Sequence, residues 1–279
     1  MDAAEVLREQ WGLEPVRVET LTGGMNAAAY LAVSADWRFV VKVVGADDGA
    51  FEPGLEVARR ADDAGVVTGR PRPSRSGRLV ERVDGRQVAV LEYVEGVELG
   101  KSAADQAAIG ELLGRVHLAV GLESSDLDDW LRLLLPLDEH LDYEPWIRPA
   151  VEGAKAGVRS VGLLSWAWLH GDPAAEAFRR GPDGRISLID WGSAMRGPIL
   201  YDVASAVMYN GEHLVPSYLA VRPDLASELN RGLAAFLQIR YAVQAAYFAW
   251  RCAEDIRTGI TSAADNHKGL ADARRSFEL

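Results

Sequence analysis

The chain has 279 residues, of which 41 are acidic and 30 are basic, and its formal net charge at pH 7 is -11. This charge argues against a nucleic-acid surface and against binding to anionic membranes, whereas cationic ligands remain compatible with it. A single cysteine, Cys252, excludes an internal disulfide framework and a cysteine-rich zinc site. No apolar run approaches the roughly 20 residues that span a bilayer, and the first residues do not resemble a secretory signal, so a cytoplasmic protein is expected.

The first third of the chain is predicted to consist mainly of strands. A short amphipathic helix at residues 2–11 precedes strand patterns at 15–21, 27–33 and 38–44. Lys42 lies among valines in the third of these strands, where a lysine is costly to bury unless an anion meets its ammonium group. A nucleotide phosphate would be such an anion. The alternative is a lysine on an edge strand that reaches water.

A loop between the first two predicted strands could contact the same phosphates. It contains Gly23, Gly24 and Asn26, and its backbone N–H groups could bend over an anion. Paired glycines are more often an ordinary turn. Neither a GxGxxG nor a GxxxxGK[ST] motif occurs in the chain.

The next helical pattern, at residues 51–64, offers a carboxylate to Lys42. Glu52 and Glu56 lie one turn apart on the same face of this helix. We favour Glu52 as the partner that fixes Lys42. Solvation of both glutamates is the alternative.

A hairpin and a change in composition mark the end of this first region. The Asp-Gly pair at 84–85 is a two-residue turn signal between strand patterns at 78–83 and 87–94. Beyond it the chain changes from strand-rich to helix-rich. The sequence therefore predicts an N-terminal lobe at 1–95 and a C-terminal lobe at 96–279.

The second region is mostly helical. Ser102 begins a helix in which His117 is expected to be a core residue rather than a ligand. Residues 123–144 carry eight acidic side chains, which could recruit a cationic substrate but are favoured as solvated helix faces. A group near the end of the chain could line an acceptor pocket, although aromatic residues at helical spacing are usually core. This group comprises Tyr241, Tyr247, Phe248, Trp250 and Asp255.

Two aspartates in the middle of this region carry the functional prediction. Asp172 follows an apolar run and lies between Gly171 and Pro173, which force the chain out of regular structure. Asp190 ends a short apolar strand and precedes Trp191-Gly192. A Gly-Pro-Asp-Gly turn between them folds the segment back, so that both carboxylates can enter one cleft. Such a pair suits a Mg²⁺ ion, which prefers oxygen ligands, and a substrate hydroxyl.

These residues resemble a known motif. The strings LHGDPAAEAF and LIDWGSAMRGPILYDVAS are similar to those of the aminoglycoside phosphotransferase and choline kinase superfamily. The resemblance implies an α+β, bilobal, protein-kinase-like fold, with an antiparallel sheet plus one helix followed by a larger helical lobe, and with ATP bound between the lobes. It implies that Asp172 is the base or orienter of the hydroxyl, that Asp190 is a Mg²⁺ ligand and that Asp202 braces the catalytic loop.

The resemblance also assigns the nucleotide contacts. Lys42 would meet the phosphates, as the lysine of the VAIK-type strand does in kinase folds. Adenine would bind through the backbone of Glu92 and Val94, which occupy the hinge position between the lobes. This last assignment comes from position alone, because backbone recognition leaves no side-chain pattern.

One position departs from the family motif. The family has an asparagine five positions after its catalytic aspartate, and this asparagine holds a second metal ion. Ala177 occupies that position here. This departure leaves three alternatives. A single metal ion is sufficient for transfer, Glu176 reaches the ion from a shifted loop, or the protein no longer transfers phosphate.

The function predicted from the sequence is ATP- and Mg²⁺-dependent phosphorylation of a hydroxyl on a small molecule. Candidate acceptors are an aminoglycoside, an amino-alcohol or a homoserine-like compound, and a cationic acceptor is compatible with the charge. One alternative is a kinase for serine or threonine of a peptide in natural-product biosynthesis. Another, prompted by Ala177, is a non-catalytic binder of nucleotide or substrate.

Overall fold

A computed structural model describes residues 1–21, 27–122, 124–135, 138–260 and 262–277. Helix α1 spans Ala3–Val6 and continues as a π-helical turn over Leu7–Trp11. An antiparallel sheet follows, in the order β1-β2-β3-β6-β4, and β5 also pairs with β6. Its strands β1 to β6 are Arg17–Leu21, Ala28–Val33, Arg38–Gly45, Pro71–Arg72, Glu81–Val83 and Arg86–Glu92. Helix α2, at Phe51–Asp63, connects β3 to β4.

The two faces of strand β3 have different partners. Val41 and Val43 are buried in one hydrophobic cluster with Leu7 and Trp11 of the N-terminal helical segment. Because side chains alternate along a strand, Lys42 lies on the opposite face. Helix α2 packs on that face through a second cluster, which contains Val44, Phe51 and Leu55. The strand therefore presents Lys42 on the side of the sheet that α2 covers.

The predicted hairpin turn is confirmed. Asp84 and Gly85 both have positive φ angles, of 51° and 70°. This pair of angles is typical of a type I′ turn, which matches the twist of the flanking strands. The strands around it are shorter than predicted, since β5 begins at Glu81.

Helices make up most of the remaining chain. Helices α3 to α9 are Ala103–Ala119, Leu127–Leu134, Ile147–Ser160, Ile199–Asn210, Leu214–Val221, Ala226–Ala253 and Ala263–Arg275. Helix α3 lies directly against α7 because Gly110 has no side chain. A Cβ built on Gly110 would be 2.1 Å from the carbonyl oxygen of Leu214. Helix α8 packs against α5, α6 and α9 and forms the centre of the largest hydrophobic cluster.

Two small sheets lie between the helices and position the aspartate-bearing loops. Strands β7 to β12 are Val97–Glu98, Gly121–Leu122, Trp166–Leu169, Phe178–Arg180, Ile186–Leu188 and Met195–Pro198. They form the sheets β11-β10-β7 and β12-β9-β8. The loop carrying Asp172 follows β9 and the loop carrying Asp190 follows β11, so each loop starts from an anchored strand.

This architecture agrees with the predicted α+β class, an antiparallel sheet with one helix followed by a mainly helical part. The division into lobes at 1–95 and 96–279 stays a prediction. Within the described ranges, no helix combines the length and the apolar character that a bilayer span requires.

Candidate active site

Asp172 lies on a loop between β9 and a 3-10 turn at Ala175–Ala177. This loop comes very close to the segment that follows Asp190. A Cβ built on Gly171 would be only 2.0 Å from the carbonyl oxygen of Ser193. Gly171 also has a φ of +87°, which residues with a side chain rarely adopt. Glycine at this position therefore allows the two aspartate loops to make backbone contact.

The completely buried Asp202, in the first turn of α6, holds the Asp172 loop in place. Its two carboxylate oxygens accept hydrogen bonds from the backbone N–H groups of His170, at 2.6 Å, and Gly171, at 2.8 Å. His117 is also buried, with Nε2 3.3 Å from Asp202 Oδ2 and Nδ1 2.9 Å from the hydroxyl of Tyr218. The bracing role of Asp202 and the core position of His117 are thus confirmed.

Asp190 has an unusual backbone and an accessible carboxylate. Its φ of 68° and ψ of 61° are left-handed, a conformation that costs roughly 1–2 kcal/mol for most residues and that Asp and Asn tolerate best. Its side chain is 63% exposed and forms an ion pair with the ammonium group of Lys42. Desolvation raises the pKa of Asp190, but the charge and hydrogen bond of Lys42 and the proximity of His170 lower it by more, so the net pKa is below the ordinary value. Asp190 is therefore ionised at neutral pH.

His170 connects the two loops. Its Nε2 donates a hydrogen bond to the carbonyl oxygen of Ile189 at 2.9 Å. Its ring packs edge-on against the ring of Trp191, with 4.9 Å between the centroids. Because Ile189 and Trp191 flank Asp190, the residue two positions before Asp172 contacts both neighbours of the second aspartate.

The predicted pairing of Lys42 with Glu52 is not found in the described structure. Lys42 pairs with Asp190, and Glu52 is exposed. Helix α2 contacts the Asp190 loop through its backbone, since a Cβ on Gly54 would lie 2.3 Å from the carbonyl oxygen of Trp191. Glu56, one turn after Glu52, pairs with Arg59 on the same helix, at 2.9 Å. The helix is thus positioned by Gly54, and its first-turn glutamate faces solvent.

Residues for a metal ion are few but chemically suitable. Asp190 and Asp172 offer hard oxygen donors, with side chains 63% and 45% exposed. Among the described residues, no group of three or more His, Cys, Asp or Glu side chains could hold a metal. This arrangement fits Mg²⁺, which is commonly bound by one or two carboxylates together with substrate phosphates and water. Glu176 is exposed on the 3-10 turn, whereas Ala177 is buried at 4% exposure.

Two residues of the site were missed by the sequence prediction. Arg240 of α8 places Nη2 2.6 Å from Asp172 Oδ1, and the hydroxyl of Tyr209, at the end of α6, donates to the same oxygen at 2.9 Å. A signal for Arg240 existed in the sequence. It lies four residues after Phe236 and next to Ile239, so an arginine interrupts the buried face of a long helix.

Comparison with known proteins agrees with this geometry. The model of a phosphotransferase enzyme family matches residues 17–236, which include both aspartate loops. The chain belongs to this family. An uncharacterized protein of Deinococcus radiodurans is 27% identical to this family member over 220 residues, which is 72% of this chain and 64% of the relative. The chain thus spans less than two thirds of that relative's length.

Solved structures of phosphotransferases share the fold of this family member. A spectinomycin phosphotransferase in complex with ADP and spectinomycin matches with a TM-score of 0.69 and 14% identity, covering 99% of this chain and 98% of the other. The GDP complex of an aminoglycoside 2'-phosphotransferase matches with a TM-score of 0.68 and 16% identity, covering 95% and 94%. A choline kinase from Streptococcus pneumoniae matches with a TM-score of 0.62 and 17% identity, covering 94% and 95%. The predicted family and the bilobal kinase-like fold are confirmed.

The predicted nucleotide contacts of this phosphotransferase-family chain lie in different parts of the structure. Gly23, Gly24 and Asn26 lie outside the described residues. Glu92 ends β6, three positions beyond the residue that pairs with Lys42, and Val94 follows it. The backbone N–H of Glu92 donates to the carbonyl oxygen of Arg70 at 3.0 Å, which ties this segment to the turn before β4. These contacts remain predictions.

A cavity of about 300 Å³ adjoins this segment. Its lining includes Glu92, Val94, Arg70 and Arg185 but neither Lys42 nor Asp190. A second cavity, of about 530 Å³, is lined by His117, Ser165 and Arg222 among others and also excludes both aspartates of the site. Neither of these two cavities is therefore lined by Asp172 or Asp190.

The acidic segment at 123–144 is largely neutralised by its own neighbours. Asp128 pairs with Arg159 at 2.7 Å, and Arg148 pairs with both Asp138, at 2.9 Å, and Asp142, at 2.7 Å. The described part of this segment therefore forms paired surface rather than a free anionic patch, in agreement with the favoured interpretation.

The aromatic group near the end of the chain is half-buried and packs within itself. The rings of Tyr247 and Phe248 have centroids 5.4 Å apart, and those of Tyr247 and Trp250 5.8 Å. Asp255 pairs with Arg257 at 2.9 Å. Three of the four aromatic rings therefore pack on one another, while all four stay half-buried rather than fully buried.

Proposed function

We propose that the protein is a Mg²⁺-dependent phosphotransferase that moves the γ-phosphoryl group of ATP to a hydroxyl of a small molecule. The observation that carries the proposal is the contact between the Asp172 and Asp190 loops, with Lys42 paired to the second aspartate. Phosphoryl transfer depends on positioning and on neutralising charge more than on covalent chemistry by the protein. A hydroxyl-facing carboxylate, a metal-facing carboxylate and a phosphate-binding lysine are the groups that this chemistry needs.

The nucleotide side of the site rests on Lys42 and Asp190. Lys42 would exchange its ion pair with Asp190 for one with the nucleotide phosphates, and Asp190 would then be free to hold Mg²⁺. Bound Mg²⁺ would supply positive charge that neutralises the phosphates. Similar structures with ADP or GDP bound support a purine nucleotide. The proposal includes further contacts to the nucleotide or its metal. These are the backbone of Glu92 and Val94, the segment with Gly23, Gly24 and Asn26, and the carboxylate of Glu52 or Glu176.

The acceptor side rests on Asp172. Its carboxylate orients the acceptor hydroxyl and receives its proton as the bond between the acceptor oxygen and the γ-phosphorus forms. The bond between the γ-phosphorus and the bridging oxygen breaks, and ADP leaves. Asp202 supports this step indirectly, because it fixes the two backbone N–H groups immediately before Asp172.

A non-catalytic binder is the second candidate, and Ala177 is the observation that favours it. Its methyl group is buried and cannot coordinate a cation. Loss of one electrostatic contact to a transition state typically costs about 10²-fold to 10³-fold in rate. An enzyme with a single metal ion would thus be slowed rather than silenced, which is why transfer remains the first proposal.

The test is a transfer assay with [γ-³²P]ATP and Mg²⁺ against spectinomycin, kanamycin, choline, homoserine and a serine- and threonine-containing peptide. We expect label on at least one small molecule and a loss of at least 10²-fold with Asp172→Ala. Stabilisation by Mg-ATP without transfer to any probe would support the non-catalytic binder. Activity that survives Asp172→Ala would overturn the proposed role of Asp172.

A further inference from the structure

Arg240 makes a contact with Asp172 that the motif does not account for. It lies on α8, 68 positions further along the chain, and its side chain is only 7% exposed. Nη2 is 2.6 Å from Asp172 Oδ1 and 2.6 Å from the hydroxyl of Tyr209. Tyr209 donates its proton to the same Oδ1 at 2.9 Å. Two donors from two helices thus meet at one carboxylate oxygen.

The other carboxylate oxygen of Asp172, Oδ2, differs from Oδ1 in its contacts. Within the described residues, Asp172 Oδ2 has no side-chain or backbone donor, and the Asp172 side chain keeps 45% exposure. An aspartate side chain has two rotatable bonds. Hydrogen bonds to Oδ1 restrict both of them and turn Oδ2 in one direction.

The surroundings keep Arg240 charged and Tyr209 protonated. Burial lowers the pKa of Arg240, but Tyr201, Tyr209 and Asp172 raise it by more, so the net pKa is raised. Burial raises the pKa of the Tyr209 hydroxyl, which therefore remains a donor at neutral pH. The guanidinium also lies 5.3 Å from the ring centroid of Tyr209 and 5.8 Å from that of Tyr201, which fixes its plane.

We propose that Arg240, with Tyr209, is a positioning residue that holds Asp172 by Oδ1 so that Oδ2 faces the acceptor hydroxyl. The inference rests on the phosphotransferase function proposed above. A purely structural ion pair would affect stability alone. A positioning residue should also affect turnover at saturating nucleotide, with little change in nucleotide binding. A misplacement of about 1 Å in a reacting group can cost on the order of 10²-fold in rate.

The experiment compares Arg240→Ala, Arg240→Lys and Tyr209→Phe with the parent protein in the transfer assay. Spectinomycin, kanamycin or choline serves as the acceptor. If none of them is phosphorylated, hydrolysis of ATP is measured instead, with water as the acceptor. Stabilisation by Mg-ADP is measured in parallel. We expect Arg240→Ala to lower kcat about 10²-fold with the KM for ATP changed less than about threefold. Arg240→Lys should recover part of this loss, because an ammonium group keeps the charge but not both hydrogen bonds.

Arg231→Ala is the matched control, since Arg231 also lies on α8 and binds backbone carbonyls of Val161 and Leu163 away from Asp172. It should lower the Tm without changing kcat. If Arg240→Ala reduces stability as Arg231→Ala does and leaves kcat intact, the positioning role is wrong. If the parent protein transfers phosphate neither to the probes nor to water, the proposed phosphotransferase function is wrong, whatever the role of Arg240. A crystal structure of Arg240→Ala then decides the geometry, because an unmoved Asp172 carboxylate in the absence of the guanidinium would refute the positioning role independently of turnover.

Discussion

Asp190 is the residue whose backbone and side chain are both unusual. Its left-handed conformation turns the chain sharply after β11, and its carboxylate pairs with Lys42 of β3. Backbone strain at an exposed carboxylate is typical of functional sites, where surrounding structure maintains it. His170 and Gly54 supply that surrounding structure here, through their contacts with Ile189 and Trp191.

Asp190→Asn tests the ion pair and the metal role together. Asparagine tolerates the left-handed conformation, so backbone strain is unchanged. At neutral pH the variant should lose on the order of 0.2–1 kcal/mol of unfolding free energy, a small amount because the carboxylate is 63% exposed. The folded-state pKa of Asp190 is depressed. The ion pair therefore stabilises above the unfolded pKa of about 3.9 and ceases to do so as the pH falls through the folded value.

The measurement is the Tm of the parent and the variant from pH 7 to pH 3, with and without Mg-ADP. The difference in Tm should shrink as the pH falls toward 3, and the variant should lose its Mg-dependent stabilisation by ADP. Asp129→Asn, which removes a surface pair with Arg132, is the control and should keep that stabilisation. A pH-independent difference would contradict the pairing of Asp190 with Lys42.

Residues with a local signal could be predicted, and those without one could not. Local sequence patterns indicate three of the site residues. An apolar run precedes Asp172, a short strand precedes Asp190, and valines surround Lys42. The assignment of Glu52 to Lys42 rests on helical spacing and on the carboxylate that a nucleotide-binding lysine usually meets on the next helix. Spacing does not give the rotation of a helix against a sheet, which is set here by Gly54. Arg240 was missed because its partner lies 68 positions away.

At the scale of elements, the site depends on how closely two loops approach each other. Strand β9 and strand β11 deliver the loops, and α6 presents Asp202 to one of them. Gly171 permits the final contact with Ser193. The geometry of the site is therefore set by backbone packing between elements as much as by its side chains.

Gly171→Ala tests this close approach. Gly162 provides a matched control, because it has the same φ of +87° but open space around its Cβ position. Gly162→Ala should cost roughly 1–2 kcal/mol from the left-handed backbone alone. Gly171→Ala should cost more, because the methyl group would also clash with Ser193, and it should reduce transfer at least about 10²-fold. Urea unfolding and the transfer assay measure both effects. Equal losses in the two variants, with activity retained, would mean that the loops do not need this contact.

Elements with a strong pattern were predicted well, and the short ones were not. The Asp-Gly hairpin and the helix at Phe51–Asp63 follow from turn chemistry and periodicity. Strands β7 and β8 contain two residues each, so they are too short to show the alternation of apolar and polar residues that identifies a strand in a sequence. The helix predicted at residues 2–11 becomes a single α turn followed by a π turn, a change that places Leu7 and Trp11 against the sheet.

The whole molecule shares its fold with proteins that are only 14% to 17% identical to it. The fold is therefore kept although most side chains differ. Within this fold the Asp172 and Asp190 loops approach each other at Gly171 and Ser193, and Asp190 pairs with Lys42. In the described part of the acidic segment at 123–144, much of the negative charge is paired with arginines on the surface. The sequence could thus indicate the family and the fold, while contacts between elements distant in the chain, such as Arg240 with Asp172, could not be predicted from it.

The most direct test of the central claim is a crystal structure with Mg²⁺ and a non-hydrolysable ATP analogue. We predict that Asp190 coordinates the metal at about 2.0–2.1 Å. Lys42 should leave Asp190 for the phosphates, and Asp172 Oδ2 should face the γ-phosphate. A nucleotide bound elsewhere, or an analogue bound between the loops with the Lys42–Asp190 pair intact and no metal on Asp190, would contradict the account.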